Sequence, residues 1–166
     1  MSLTIQKVTR TDVPTLAKVA EGIWHEYFTP IIGTQQVEYM VEKFQSVNGI
    51  TNQLDNGYEY YFAIYDDEIA GYFGVQPQED TLFLSKLYLK EEFRGKGISS
   101  EMLAYIKNIA NREKKTKITL TVNRHNNHTI EIYKHFGFEI LKEQKADIGN
   151  GFYMDDYVMC LTVQFI

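Results

Sequence analysis

A mixed α/β fold on a mostly antiparallel sheet of about seven strands is predicted by three observations. Short segments rich in Tyr, Phe, Val and Ile recur along the chain, amphipathic stretches at helical spacing lie between them, and turn residues separate most of the segments. The order is strand, helices, a meander of three strands, helix, strand, helix and a final strand pair, which is the pattern of a mixed sheet. At 166 residues, 44% hydrophobic and 23% charged, the chain can bury a core and has the size of one domain. No repeat, linker or low-complexity run divides it, so a single domain over residues 1–166 is expected.

Leu3 to Val8 alternates apolar and polar residues, as a half-buried strand does. Thr11, Asp12 and Pro14 supply helix-start chemistry, and Leu16, Val19, Ile23 and Tyr27 follow at helical spacing. Pro30 and Gly33 are expected to end that helix. A second spans Gln35 to Val47, with Val37, Met40, Val41 and Phe44 on one face and Asn48-Gly49 closing it. YEYYFAIYD and EIAGYFGVQ read as strands joined at Asp66-Asp67, and a turn near Gln78-Glu79-Asp80 leads to the strand TLFLSKLYL. Ile98, Met102, Ile106 and Ile109 define the next helix. KITLTV is a strand, and Asn126 to Phe136 is a short helix ended by Gly137. FEILKEQKAD and FYMDDYVMCLTV close the chain as a pair turned at Gly149-Asn150-Gly151.

Several function classes are excluded by composition. A formal net charge of -5 is the wrong sign for a general nucleic-acid surface, which needs a concentrated basic field. No run approaches the ~20 apolar residues that span a bilayer, and MSLTIQKVTR is not signal-like, so a cytoplasmic protein is expected. The single cysteine, Cys160, lies in the strand YVMCLTV, which argues against a disulfide framework and against a thiol nucleophile. His125, His128 and His135 fall near one helix, but a zinc site needs three or four ligands and no carboxylate or cysteine is spaced to complete one. No metal is expected.

The chemistry concentrates in EEFRGKGISS, between an apolar strand and a helix. Arg94, Gly95, Lys96, Gly97, Ile98 and Ser99 place consecutive N–H groups at a helix start, with two basic side chains around them. A pyrophosphate fits such a concavity. The phosphate loop of ATPases and the dinucleotide fingerprint both need glycine spacings that are absent. On these residues alone a tight strand-to-helix joint explains the run as well as an anion site does.

Together with LYL before it and NHTIEIYKHFGF after it, this run resembles the Gcn5-related N-acetyltransferase family. That family marks its acetyl-coenzyme A site with Arg/Gln-x-x-Gly-x-Gly/Ala, here Arg94, Gly97 and, at the last position, Ser99, which is small enough for close backbone approach. The order of elements matches over most of the chain. The resemblance implies helices on both faces of the sheet and a splay at the acetyl-coenzyme A site. It implies that Leu87, Tyr88 and Leu89 bind the pantetheine amides through their backbone, as an added strand would. Tyr133 matches the family's helix tyrosine near the coenzyme sulfur, where a neutral phenol can protonate a departing thiolate. Asn126, seven residues earlier, shares its helix face and either binds cofactor or caps the helix.

On the acceptor side the resemblance points to the end of the first long helix, with Glu26 and His25 as candidates for the base. Asp155 and Asp156 are adjacent on a strand, so one at most faces the acceptor. Trp24, Tyr27, Tyr39, Tyr153 and Tyr157 are candidates for an aromatic wall around a cation. The implied activity is transfer of an acetyl group from acetyl-coenzyme A to a primary amine by direct attack in a ternary complex. A small polyamine is the suggested acceptor, with a protein amino terminus or an amino sugar as alternatives. A coenzyme A-binding sensor or partner-binding domain without turnover is the alternative of another class. Exposed edge strands near the carboxyl terminus offer a route to a homodimer.

Overall fold

The computed structural model describes residues 3–163. Its strands are β1 (Leu3–Lys7), β2 (Glu59–Tyr65), β3 (Glu68–Pro77), β4 (Thr81–Leu89), β5 (Lys117–Asn123), β6 (Glu139–Gly149) and β7 (Phe152–Thr162). The helices are α1 (Val13–Ile32), α2 (Thr34–Phe44), α3 (Val47–Asp55), α4 (Ile98–Arg112) and α5 (Asn127–His135). Strand order in the sheet is β1-β2-β3-β4-β5-β7-β6. β1–β2, β2–β3, β5–β7 and β6–β7 pair antiparallel, while β4 pairs β5 in parallel at Thr81–Phe83. The mixed, mostly antiparallel sheet read from the sequence is therefore the one observed. The described residues pack into two compact units, 3–76 with Lys86–Ile106 and Pro77–Ser85 with 107–163.

In the first unit, the β2–β3 hairpin turns at Asp66 and Asp67, with φ of 50° and 67°. These left-handed values match the right-handed twist of the flanking strands. α1 runs through Pro30 and stops only after Ile32, where Gly33 takes φ 87° and its N–H bonds the Thr29 carbonyl at 3.0 Å. Of the two residues expected to end this helix, glycine does so. Proline sits in the last turn.

The expected stop at Asn48-Gly49 is overturned, because a third helix begins there. Ser46 is the N-cap of α3, its Oγ accepting from the Gly49 N–H at 3.1 Å. Gly49 is needed for closeness rather than for ending a helix. A Cβ at this position would lie 2.6 Å from the Lys43 carbonyl oxygen and 2.8 Å from the Phe44 carbonyl carbon. Helix propensity alone predicts that Gly49→Ala adds about 1 kcal/mol. The backbone collision reverses the sign, and a net loss of about 1–3 kcal/mol is expected from overpacking. A urea midpoint above wild type would contradict this.

A directed chain of buried hydrogen bonds ties α1, α2, α3, β2 and β3 together. Trp24 Nε1 donates to Tyr72 Oη at 3.0 Å, and Tyr72 donates to Gln45 Oε1 at 2.6 Å. Gln45 Nε2 donates in turn to Tyr60 Oη at 3.2 Å and to the Phe44 carbonyl at 2.7 Å. Tyr60 then donates to Gln53 Oε1. Burial pushes both phenols, Tyr60 and Tyr72, above their ordinary range, so they remain neutral donors. Gln45 is wholly buried, and its partners satisfy the polar groups that burial would otherwise penalise.

In the second unit, alternate residues of β5, Ile118, Leu120 and Val122, are buried, as a strand with one packed face requires. The β6–β7 turn takes positive φ at Gly149, Asn150 and Gly151. Among the described residues, no helix is long and apolar enough to cross a membrane.

Candidate active site

β4 ends beside β3 in the first unit. A Cβ on Gly71 would stand 2.1 Å from the Tyr88 carbonyl oxygen, so only glycine lets the two backbones approach this closely. The Lys90 N–H bonds the Ala70 carbonyl at 2.8 Å. Leu87, Tyr88 and Leu89 are half-buried. The Tyr88 ring meets Trp24, Phe28 and Tyr72 edge-on at centroid distances of 5.7, 5.5 and 5.7 Å.

After β4 a short 3-10 turn, Glu91–Phe93, buries Phe93, and the chain enters the glycine run. Gly95 and Gly97 both take φ 77°, a conformation that costs other L-residues about 1–2 kcal/mol. A Cβ on either would meet nothing within 4 Å. Backbone conformation, not crowding, demands glycine here, and the space in front of both residues is open. α4 begins at Ile98, which is anchored with Met102, Leu103 and Ile106 in the core. Its first N–H groups have no partner within the helix. Lys96 is exposed and Ser99 half-buried. Open space, two left-handed glycines, helix-terminal donors and a nearby ammonium suit a diphosphate.

Arg94 does not point its charge into that space. Its Nε and Nη2 donate to the Leu89 carbonyl at 3.2 and 2.8 Å. Nη1 and Nη2 grip the two carboxylate oxygens of Glu26 at 3.0 and 2.6 Å. The guanidinium also lies 4.9 Å from the centroid of the Tyr27 ring. Glu26 and Tyr27, read from the sequence as acceptor-side residues, are thus brought to the base of the glycine turn. Trp24 is in the core with 4% of its surface exposed. His25 Nδ1 lies 2.9 Å from the Glu21 carbonyl. A cavity of about 450 Å³ lies alongside, lined by α1 residues from Thr15 to Glu26 and by Lys90, Glu91 and Glu92.

In the second unit, Tyr133 is buried on α5, its ring in edge contact with Phe138 at 5.4 Å. The Phe138 N–H returns to the Tyr133 carbonyl at 3.0 Å. Asn126 occupies the N-cap position of α5 and is 6% exposed, yet its side chain makes no capping bond. On β7, Asp156 is buried and the Asp155 side chain is 39% exposed, the opposite facing that strand alternation requires. Tyr153 is exposed with the Lys145 ammonium 4.9 Å from its ring centroid. Cys160 is half-buried, and burial pushes its thiol up, which lowers its thiolate fraction. Among the described residues, no group of three His, Cys, Asp or Glu is gathered as metal ligands.

Arg124, just after β5, escapes sequence reading. It pairs with Glu143, lies over Tyr157 at 5.3 Å from the ring centroid, and sets Nε 3.0 Å from Asp155 Oδ1. The last is a charge contact, since that N–H is not aligned on the carboxylate. The only local signal is an arginine at a strand end, and its partners are far along the chain.

The sequence model of the Acetyltransferase (GNAT) family matches residues 19–138, well over half of the chain. The chain belongs to this family. A spermine/spermidine N(1)-acetyltransferase of Bacillus subtilis is 30% identical over 84 residues, 45% of this chain and 55% of that protein. This chain therefore aligns with little more than half the length of that relative. A spermidine N(1)-acetyltransferase of Thermoplasma acidophilum is 24% identical over 152 residues, 89% of this chain and 94% of the relative. In fold, the chain is similar to the PaiA N-acetyltransferase of Thermoplasma acidophilum, crystallised in complex with coenzyme A. That match has a TM-score of 0.80 at 23% identity and covers 98% of this chain and 99% of the other.

Proposed function

We propose that this GNAT protein transfers an acetyl group from acetyl-coenzyme A to a primary amine, with a small polyamine as acceptor. The observation that carries the reading is the turn before α4, with Gly95 and Gly97 both at φ 77° and open space before each. The backbone N–H groups from Gly95 to Ser99, with Lys96 beside them, hold the diphosphate. The backbone of Leu87, Tyr88 and Leu89 takes the pantetheine arm as an added strand, and Asn126 contributes on the side of α5.

When bound, the coenzyme supplies an activated thioester. The Tyr133 hydroxyl keeps a proton available for a leaving sulfur, as a neutral phenol can near pH 7. Direct attack fits the absence of an activated cysteine, because the only thiol, Cys160, is pushed toward its protonated form. The polyamine reading is supported by the two relatives whose names carry spermidine and by Asp155 and Asp156 on β7, which face opposite sides so that one of the two would favour a cationic acceptor.

Free-thiol release from acetyl-coenzyme A across a panel of amines tests the reading. Spermidine is expected to turn over faster than an amino sugar or a peptide amino terminus. In the same assay one of Asp155→Asn and Asp156→Asn, and not both, is expected to raise the apparent KM for the amine by about five- to tenfold through loss of a charge contact, and no change in either would retire the cationic acceptor. Coenzyme binding with no turnover on any amine would instead support a sensor.

A further inference from the structure

The geometry points to Glu26 as a positioning residue for the glycine turn, acting through Arg94, rather than as a base or an amine ligand. The inference rests on the acetyl-coenzyme A reading of that turn and assigns its preorganisation to an ion pair between residues 68 apart in sequence.

A guanidinium has five N–H donors. In Arg94 four directed bonds are already made, two to the Leu89 carbonyl and two to Glu26. The planar fork cannot turn toward an anion without giving up a bidentate carboxylate pair, and Tyr27 covers one face. Arg94 is therefore committed to the protein and leaves diphosphate recognition to backbone N–H groups and Lys96.

The bonds have a definite mechanical consequence. Leu89 is the last residue of β4, and Arg94 immediately precedes the two left-handed glycines. The Arg94 side chain reaches back five residues to the Leu89 carbonyl and closes the loop between them, while Glu26 on α1 holds the guanidinium in place. A glycine-rich turn is otherwise the most costly kind of backbone to order. With the latch made, that cost is met on folding and is not charged against binding. The pair is only about one-third exposed, with side-chain exposures of 32% for Arg94 and 35% for Glu26, so solvent screens it less than an open surface bridge.

The test compares wild type, Glu26→Gln, Arg94→Lys and the double variant. Titration calorimetry reads the Kd for acetyl-coenzyme A, steady-state kinetics read the amine KM, and amide hydrogen exchange without coenzyme reads residues 94–99. A latch predicts that Glu26→Gln weakens Kd by about five- to tenfold, leaves the amine KM within about twofold, and speeds exchange in the turn. Arg94→Lys keeps the charge but not the fork, and should do the same. The double variant should be no worse than the worse single one, since both break one unit.

Unchanged or tighter coenzyme binding in Glu26→Gln would overturn the latch, because freeing Arg94 would help a direct phosphate ligand. So would a raised amine KM at constant Kd, which would make Glu26 an acceptor contact. Wild-type protein that fails to bind acetyl-coenzyme A sinks the functional reading instead. The exchange comparison still decides the latch in that case.

Discussion

Replacing Gly97 with aspartate is expected to raise the dissociation constant for acetyl-coenzyme A by roughly a hundredfold, the combined effect of strain and charge. Gly97 takes φ 77°, where any Cβ costs about 1–2 kcal/mol. The turn then either keeps its shape under strain or relaxes and swings its N–H groups away from the anion. The new carboxylate enters the open space before Gly97, where it repels a diphosphate and competes for the same donors. Gly97→Ala isolates the strain component and should cost about tenfold. Because nothing lies within 4 Å of either added Cβ, both variants should keep the wild-type fold by circular dichroism. Coenzyme affinity unchanged by Gly97→Asp, measured by calorimetry, would remove the turn from the site.

For Tyr133→Phe the expected loss is in turnover, with kcat lowered by about a hundredfold or more and coenzyme Kd within about twofold, the range for removing a general acid. The substitution deletes one oxygen and keeps the ring that packs edge-on against Phe138 at 5.4 Å, so α5 should hold its place. A packing role alone predicts a normal kcat, because the ring is kept, whereas a proton-donating role predicts a lowered kcat at a nearly unchanged melting temperature. A wild-type rate would take the phenol out of the chemistry.

Much of this organisation was legible in the sequence, for reasons that differ by element. Strand and helix periods, the Asp66-Asp67 hairpin and the glycine turn depend on residues within a few positions of one another. A reader of sequence can therefore find them. α3 was missed because glycine has two meanings. In Asn48-Gly49 it reads as a helix stop, yet Gly49 is helical and serves the close packing of α3 against Lys43 and Phe44. Gly71 hides in the same way, since its requirement is set by the Tyr88 carbonyl on another strand.

The candidate site divides along the same line. Gly95 and Gly97 carry their left-handed conformation in their own backbone, so the turn they make is visible in the local sequence. Arg94 and Glu26 were read as a phosphate-side cation and an acceptor-side carboxylate, whereas in the fold they are partners. Trp24 looked available for an aromatic wall and instead donates its N–H to Tyr72 in the core. Arg124 carried no legible role until β6 and β7 placed Glu143, Asp155 and Tyr157 around it.

By itself the sequence determined the class of fold, the family and the position of the glycine turn before α4, because these depend on periodicity, on motif and on glycine's freedom at φ above zero. Only the tertiary structure decided which charges neutralise one another and which aromatic rings are core. Those outcomes depend on distances between residues far apart in the chain, and folding rather than local propensity sets such distances.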